Sequence, residues 1–434
     1  MLKRKITPEL VKWKNNKQKK CLIVQGPRQV GKTYSIRHFG QEEYEEVVEI
    51  NFKETSSASD IFAGDLNVDS MITALQFRFP DKKLMPGKTL IFLDEIQECP
   101  EAITSLKFWT IDKRFDVIAS GSLLGIDYKR SSSYPVGYVN HLEMYGLDFE
   151  EFLWSQGITE AMINSLRKSY TSLTPVNPAV NKTMMEYLRI YMAIGGMPEA
   201  VSQYVDTKDY REVYKVQQDL LLGYQYDIAH YASPEEKVKA EKCYLTVAGQ
   251  ILDKENHKFQ YKEVESGGRA QKYYSSIEWL LKADIVTLCT KVSAVRYDLN
   301  DYAEENAFRV YTTDLSLLLA MRDLSLKQHI IENDLGGNTK GGLYECLAAD
   351  MLHKKGYQLF YYKNDTTRLE LDFLIQKDGK PLPIEVKSGN NKATSLEKFI
   401  SNNQQIEKAY KLHDGNIGVT GKIISIPLYM GMFI

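Results

Sequence analysis

The chain has 434 residues, 43% hydrophobic and 26% charged. At roughly 100–200 residues per domain, that length gives two to four domains, each able to bury a core. Lys+Arg number 55 against 57 Asp+Glu, a net charge of −2, which excludes a global basic field and leaves any nucleic-acid contact to a local patch.

Cys21, Cys99, Cys243, Cys289 and Cys346 are scattered without paired spacing, as in a reduced intracellular chain. The basic start "MLKRKITPELVKWKNNKQKK" lacks the apolar segment of a signal peptide, and no apolar run approaches the roughly 20 residues of a membrane helix. The expectation is a cytoplasmic protein with no membrane partner, whose basic N-terminus is a solvated helix face.

In chain order, "CLIVQ" is a short apolar strand running into a Gly-rich stretch, with a helix through "KTYSIRHF". "EVVEINF", "TLIFLDE" and "FDVIAS" follow as strands, and "TLIFLDE" has the continuous apolarity of a strand buried on both faces. Strands alternating with helices imply a parallel, doubly wound sheet over residues 1–154. Residues 155–334 read as helical, with "SYTSLTPVNPAVNK" as a linker or exposed loop and a winged-helix-like end running to the strand "RVYTTD". Arg269, Lys272 and Tyr273 in that end read as a solvated helix face, with a DNA-reading face as the alternative. The Gly-rich "DLGGNTKGG" marks a boundary near residue 335, after which a helix, a strand, a hairpin and a helix make a separate α/β domain over residues 335–434.

Gly26-Pro27-Arg28-Gln29-Val30-Gly31-Lys32-Thr33 fits the G-x-x-x-x-G-K-[ST] pattern between a strand and a helix. Its glycines let the backbone N–H groups face phosphates, Lys32 reaches the β- and γ-phosphates, and the Thr33 hydroxyl binds Mg²⁺. Asp94, ending a buried strand, completes the Mg²⁺ site, and Glu95 polarises the attacking water. Ser120 and Ser122 follow the fourth strand, where carboxyl-end residues face a ligand, as γ-phosphate sensors or as helix caps. ATP and Mg²⁺ are the expected cofactors.

"GPRQVGKT", "IFLDEIQ", "ASGS", "YPVGYVNHLEMYGLDFEEFL", "GGMPEAV", "RVYTTDLSLL" and "IEVKSG" occur in this order. Together they resemble prokaryotic AAA-superfamily ATPases with a C-terminal domain of unknown function, over essentially the whole chain. The resemblance implies a P-loop AAA-type core, a helical and winged-helix middle and a nuclease-like end. Many relatives carry Arg or Lys where this chain has Tyr138 after Gly137, so a finger acting on a neighbouring subunit's nucleotide would have to come from Arg114 or Arg130.

Asp378-Gly379 is a two-residue turn signal. With it at the tip, opposed residues follow a fixed register that places Asp372 opposite Glu385 and Glu370 opposite Lys387, all on one face. Leu371, Phe373, Ile384 and Val386 then face a core, and Pro383 suggests an edge or a bulge. Two carboxylates about 4.5 Å apart at their Cα atoms repel unless a cation or proton intervenes, so a divalent metal is expected between them. Lys387 would serve a water and Glu345 would complete the shell. Glu345, Asp372 and Glu385-x-Lys387 resemble the PD-(D/E)XK nuclease core, which implies a C-terminal restriction-endonuclease-like domain. The expected function is an ATP-hydrolysing protein acting on DNA. The alternative is a nucleotide-dependent switch or scaffold whose last domain only binds a nucleic-acid or protein partner, with self-association left open.

Overall fold

The computed structural model describes residues 2–121, 134–231, 234–252, 258–364, 366–389 and 393–434. The chain divides into two compact units, Lys3–Gly146 and Leu147–Ile434.

The first unit is built on strands β1 (Cys21–Gln25), β2 (Glu46–Asn51), β3 (Thr89–Asp94), β4 (Asp116–Gly121) and β5 (Val139–Glu143). They form one parallel sheet in the order β2-β3-β4-β1-β5. β3 is buried at each position, as its unbroken apolarity requires when helices cover both faces. Ile23, Ile91, Leu93, Leu106 and Trp109 belong to one core cluster. The first four strands match the sequence expectation. β5 is the addition: its residues are half-buried or exposed, so it lacked an apolar run to announce it. Parallel pairing puts the carboxyl ends of β1, β3 and β4 on one edge, with Val24 beside Ser120 and Leu93 beside Ala119.

The second unit starts with helices, including Glu160–Ser172, Pro178–Ile194, Tyr210–Tyr231 and Pro234–Leu252. Its strands are β6 (Val286–Val292), β7 (Ala303–Thr312), β8 (Leu359–Asn364), β9 (Leu369–Lys377), β10 (Lys380–Val386), β11 (Ala409–His413), β12 (Gly418–Thr420) and β13 (Ile423–Pro427). They form one mixed sheet in the order β12-β13-β11-β10-β9-β8-β6-β7.

Two expectations differ from this arrangement. The β6–β7 hairpin is no free wing, because β6 pairs in parallel with β8. The sheet therefore draws strands from both sides of the boundary expected near residue 335. Nor is "DLGGNTKGG" irregular throughout: its second half opens the helix Gly337–His353. Gly342 there lets the helix press on the helix Pro234–Leu252, since a Cβ would lie 2.5 Å from the Ile251 carbonyl oxygen. The expected loop around Pro175 is also pinned, because Asn416 exchanges hydrogen bonds with the Val176 backbone at 2.9 and 2.6 Å.

Candidate nucleotide and acidic sites

The Gly-rich loop closes as its sequence demands. Gly26 has φ 147° and Gly31 has φ 92°, both in the region glycine favours. A Cβ on Gly26 would meet the Met144 carbonyl oxygen at 2.0 Å. Gly31 is the N-cap of the helix Lys32–Glu43. The Lys32 ammonium donates to the Gly26 and Pro27 carbonyls at 2.9 and 2.6 Å, inside the loop.

Asp94 sits 2% exposed at the end of β3. Thr33 Oγ1 donates to its carboxylate at 3.0 Å, Asn51 Nδ2 at 3.1 Å, and Ser120 Oγ bonds its other oxygen. Burial pushes the Asp94 carboxyl up, with Ser120 and Thr33 opposing that shift. The Asp94 carboxylate and the adjacent Thr33 hydroxyl offer the hard oxygen ligands that fit Mg²⁺. Glu95 lies in the left-handed region at φ 53°, a strained position for a non-glycine residue, and accepts a hydrogen bond from Gln97. Lys32, Thr33, Asp94 and Ser120 are thus brought together, with Glu95 directly following Asp94. Ser122 and Arg130 lie outside the described residues. Arg114 is engaged with Asp69 and Asp112 at 2.6 and 2.8 Å, and Lys107 covers the Tyr138 ring.

The acidic hairpin has the expected register. Paired residues run from Lys377–Lys380 to Phe373–Ile384, and Asp372 and Glu385 are the next positions. Asp378 and Gly379 turn with φ 51° and 73°, which fits a type I′ hairpin. Leu371, Phe373, Ile384 and Val386 are buried. Pro383 sits at no bulge, and although β10 lies between β9 and β11, its pairing with β11 begins one residue later, at Ile384, so that side is a local edge at Pro383.

The charges on the other face pair differently from the simple cross-strand scheme. Lys387 Nζ reaches Glu385 Oε1 at 2.5 Å, while Glu370 bonds Arg309 at 2.5 Å and Lys363 at 2.8 Å. Glu385 is 2% exposed, and its Oε2 is buried without a hydrogen-bond partner. Asp372 accepts the Val386 N–H at 2.8 Å. Burial raises both carboxyls; Glu385 and Glu345 push Asp372 further, and Lys387 opposes the rise at each. Two raised acids and one orphaned carboxylate oxygen are what a divalent cation would relieve. Glu345 is close enough for its charge to act on both acids, but it has partners of its own: Arg309 and Tyr311 donate to its Oε2 at 3.3 and 3.4 Å. Among the described residues, ligand atoms of Glu345, Asp372 and Glu385 do not all lie within 4.8 Å of one another.

Residues 18–153 match the family model described as an AAA domain. The N-terminal unit is an AAA-type ATPase domain. Residues 185–328 and 340–429 match models described as domains of unknown function, DUF8612 and DUF4143. A segment of 80 residues, 18% of the chain, is 35% identical to a UPF0102 protein of Thermotoga neapolitana and spans 75% of that relative. Over that segment the chain belongs to the UPF0102 family.

A Walker-type ATPase of Pyrococcus abyssi is 14% identical over 74% of this chain and 96% of its own, with a TM-score of 0.43. The Aeropyrum pernix ORC1 protein, solved in complex with DNA, is 13% identical over 76% and 91%, with a TM-score of 0.31. AMPPCP-bound DnaA of Aquifex aeolicus is 12% identical over 64% and 88%, with a TM-score of 0.29. Likenesses this distant carry no argument about substrate or partner. No helix among the described residues is long and apolar enough to cross a membrane.

Sequence reading missed three features. Arg4 of the ATPase domain is buried and donates to the Val30 and Tyr145 carbonyls at 2.8 and 2.6 Å, so part of the basic N-terminus braces the Gly-rich loop. Arg309, 2% exposed in β7, balances Glu345 and Glu370 and lies over the Tyr361 ring. An arginine inside the strand run "RVYTTD" was its one signal.

The third feature is a buried knot in the second unit. Lys354 meets the Leu147 carbonyl, Tyr191, Asp314 and Asp350 at 2.9–3.1 Å, and Asp314 accepts the Gly196 N–H at 2.9 Å. "GLDFEEFL", "GGMPEAV" and "TTDLSLL" therefore meet at one point. Of Arg269, Lys272 and Tyr273, the last two bond Glu265 and Tyr273 is buried, while Arg269 is exposed.

Proposed function

We propose that the chain binds and hydrolyses ATP with Mg²⁺ in its AAA-type domain and carries a nuclease-like site for DNA in its second unit. The observation that carries the first half is the convergence of Thr33, Asn51 and Ser120 on buried Asp94 beside the Gly-rich loop. In this reading Gly26, Pro27, Arg28, Gln29, Val30 and Gly31 cradle phosphate oxygens with backbone N–H groups, and Lys32 leaves its loop carbonyls for the β- and γ-phosphates. Thr33 and Asp94 hold Mg²⁺, which supplies charge neutralisation on the phosphates. Glu95 takes the proton of the water that attacks the γ-phosphorus, as the bond from that phosphorus to the bridging oxygen breaks and ADP leaves with phosphate. Ser120 keeps Asp94 oriented.

In the second unit, Asp372 and Glu385 would hold a divalent metal, Lys387 would serve the water, and Glu345 would support the shell. The orphaned Glu385 Oε2 and the raised carboxyls support that assignment. A second reading is favoured by the Arg309–Glu345 and Lys387–Glu385 pairs: with those charges already balanced, the domain would bind a nucleic-acid or protein partner without cutting it. Purified protein incubated with labelled single- and double-stranded DNA and RNA, with Mg²⁺ or Mn²⁺ and with or without ATP, separates the two. Metal-dependent cleavage lost in Glu385→Gln supports the nuclease; retention of intact label with tight binding supports the binding module.

A further inference from the structure

The second unit holds a cavity of about 430 Å³ between the helix Pro178–Ile194 and the chain after β11. Lys182, Arg189, Tyr344, Asp414 and Asn416 are among its walls. Arg189 is half-buried, and its Nε is buried with no hydrogen-bond partner. Lys182 is exposed at the rim. Among the described residues, neither cation pairs with a carboxylate.

Asp414 is the one acid in the lining, and its charge is already answered. Tyr344 donates to Oδ1 at 2.5 Å, while Lys340 and the Gly389 N–H donate to Oδ2 at 3.1 Å. A guanidinium N–H shut away from water with no acceptor is costly, and the acceptor that suits it best is an anion. The cavity therefore carries the uncompensated charge of Lys182 and Arg189.

Its location says which anion. β10 and β11 run parallel, so their carboxyl ends leave the sheet at one edge. The Lys387 N–H bonds the Leu412 carbonyl at 2.9 Å, and two residues further on Gly389 bonds Asp414. The segment carrying Glu385 and Lys387 and the segment walling the cavity are thus stitched side by side. A chain of phosphates engaged at Glu385 would pass this edge.

We propose that this cavity is a phosphate-binding subsite for the nucleic-acid strand presented to Asp372 and Glu385. Arg189 forks its N–H groups onto phosphate oxygens, and Lys182 adds a point charge at the rim. The inference rests on the nucleic-acid reading of the acidic site and extends it to a second group of residues.

The test uses the full chain and fluorescently labelled single- and double-stranded DNA, in EDTA so that no metal bridge contributes, across a salt series. Arg189→Ala and Lys182→Ala should each weaken binding and lower the slope of log affinity against log salt by about one. Arg189→Lys should restore the slope but only part of the affinity. ATP binding should be unchanged in all three. Lys182 is exposed, so its variant keeps the test valid where Arg189→Ala loses stability.

If wild type binds DNA and both alanine variants match it in affinity and slope, the subsite is overturned while the reading of the acidic site stands. If wild type binds no strand, that reading fails and the subsite falls with it. Inorganic phosphate is the last arm. Were it to raise the melting temperature of wild type but not of Arg189→Ala, with strand binding equal in both, the cavity would take free phosphate and the proposal would be overturned.

Discussion

Asp94 and Glu385 are both buried at strand ends, but their surroundings are assembled differently. The partners of Asp94 are neutral: Thr33 from the first turn of the helix after the Gly-rich loop, and Asn51 from the end of β2 and Ser120 from β4, the last two placed by the parallel register. Glu385 and its neighbours sit among charges, with Lys387 at 2.5 Å and Arg309 brought in from β7 to hold Glu345 and Glu370. One site is held by two hydroxyls and a side-chain amide around a single acid. The other is a balance of buried cations and anions that a change of one charge would tip.

The largest effect expected in that contrast is at the loop. Lys32→Ala should abolish nucleotide binding, and Glu95→Gln should retain it while cutting turnover by about 10²-fold or more. Both should fold normally, because the first unit's core lies away from these side chains. Nucleotide binding by calorimetry and phosphate release decide the outcome, and ATPase activity of wild-type size in Lys32→Ala would remove the site from the reaction.

The opposite pattern is expected of Arg309. Arg309→Ala should leave Glu345 and Glu370 without their buried partner and cost about 3–5 kcal/mol of stability. It also strips a cation from the Tyr361 ring. Chemical denaturation checks the loss, and Glu370→Gln, half-exposed and also paired with Lys363, should cost far less. A mild Arg309→Ala would mean that the acids simply protonate and that no charge balance holds this site.

The same contrast explains what the sequence could reveal. "GPRQVGKT" and "TLIFLDE" were legible because each role is fixed within a few neighbouring residues. The hairpin register was legible for the same reason, from Asp378-Gly379 and simple alternation. Arg309 was not, because its distance to Glu370 depends on β6 and β8 lying between β7 and β9. β6 and β7 looked like a wing because a hairpin after a helix carries no local mark of the strand it will pair with. "DLGGNTKGG" looked like a boundary because glycine is equally at home in a loop and in a tight helix contact. The Lys354 knot joins residues more than a hundred positions apart, and no spacing rule reaches that far.

A smaller effect tests whether the acidic site is open to a metal. Mn²⁺ titrated into the protein should find a site that Asp372→Asn and Glu385→Gln each weaken by about 10²-fold, whereas Glu370→Gln should leave it within a few-fold. Glu345→Gln should fall between them, since Arg309 already holds that carboxylate. Equal and feeble binding by wild type and all variants would leave Lys387 as the site's permanent counterion and the domain as a binding module.

The smallest effect concerns a buried cation with no acid beside it. Lys327 is 0% exposed, and its ammonium donates to the Ala193 carbonyl at 2.7 Å and to Gln217. Burial lowers its pKa from 10.5 to about 7, with Asp314 opposing the shift. Between those values the unfolded chain holds a proton that the folded chain has lost, so stability should rise as pH rises through that window. The gain between pH 7 and roughly 8.5 should be about 1–2 kcal/mol, before the buried thiols begin to oppose it. Lys377 and Lys411 are also shifted down by burial and add a shallow slope of the same sign. Lys327→Met should therefore flatten the pH dependence without removing it, whatever it does to stability at pH 7. Urea denaturation of both proteins at the two pH values gives the answer. Identical slopes would mean that Lys327 stays charged in the fold, held by the Ala193 carbonyl, Gln217 and the field of Asp314. The second unit would then bury its cations uniformly charged, as it does at Arg309.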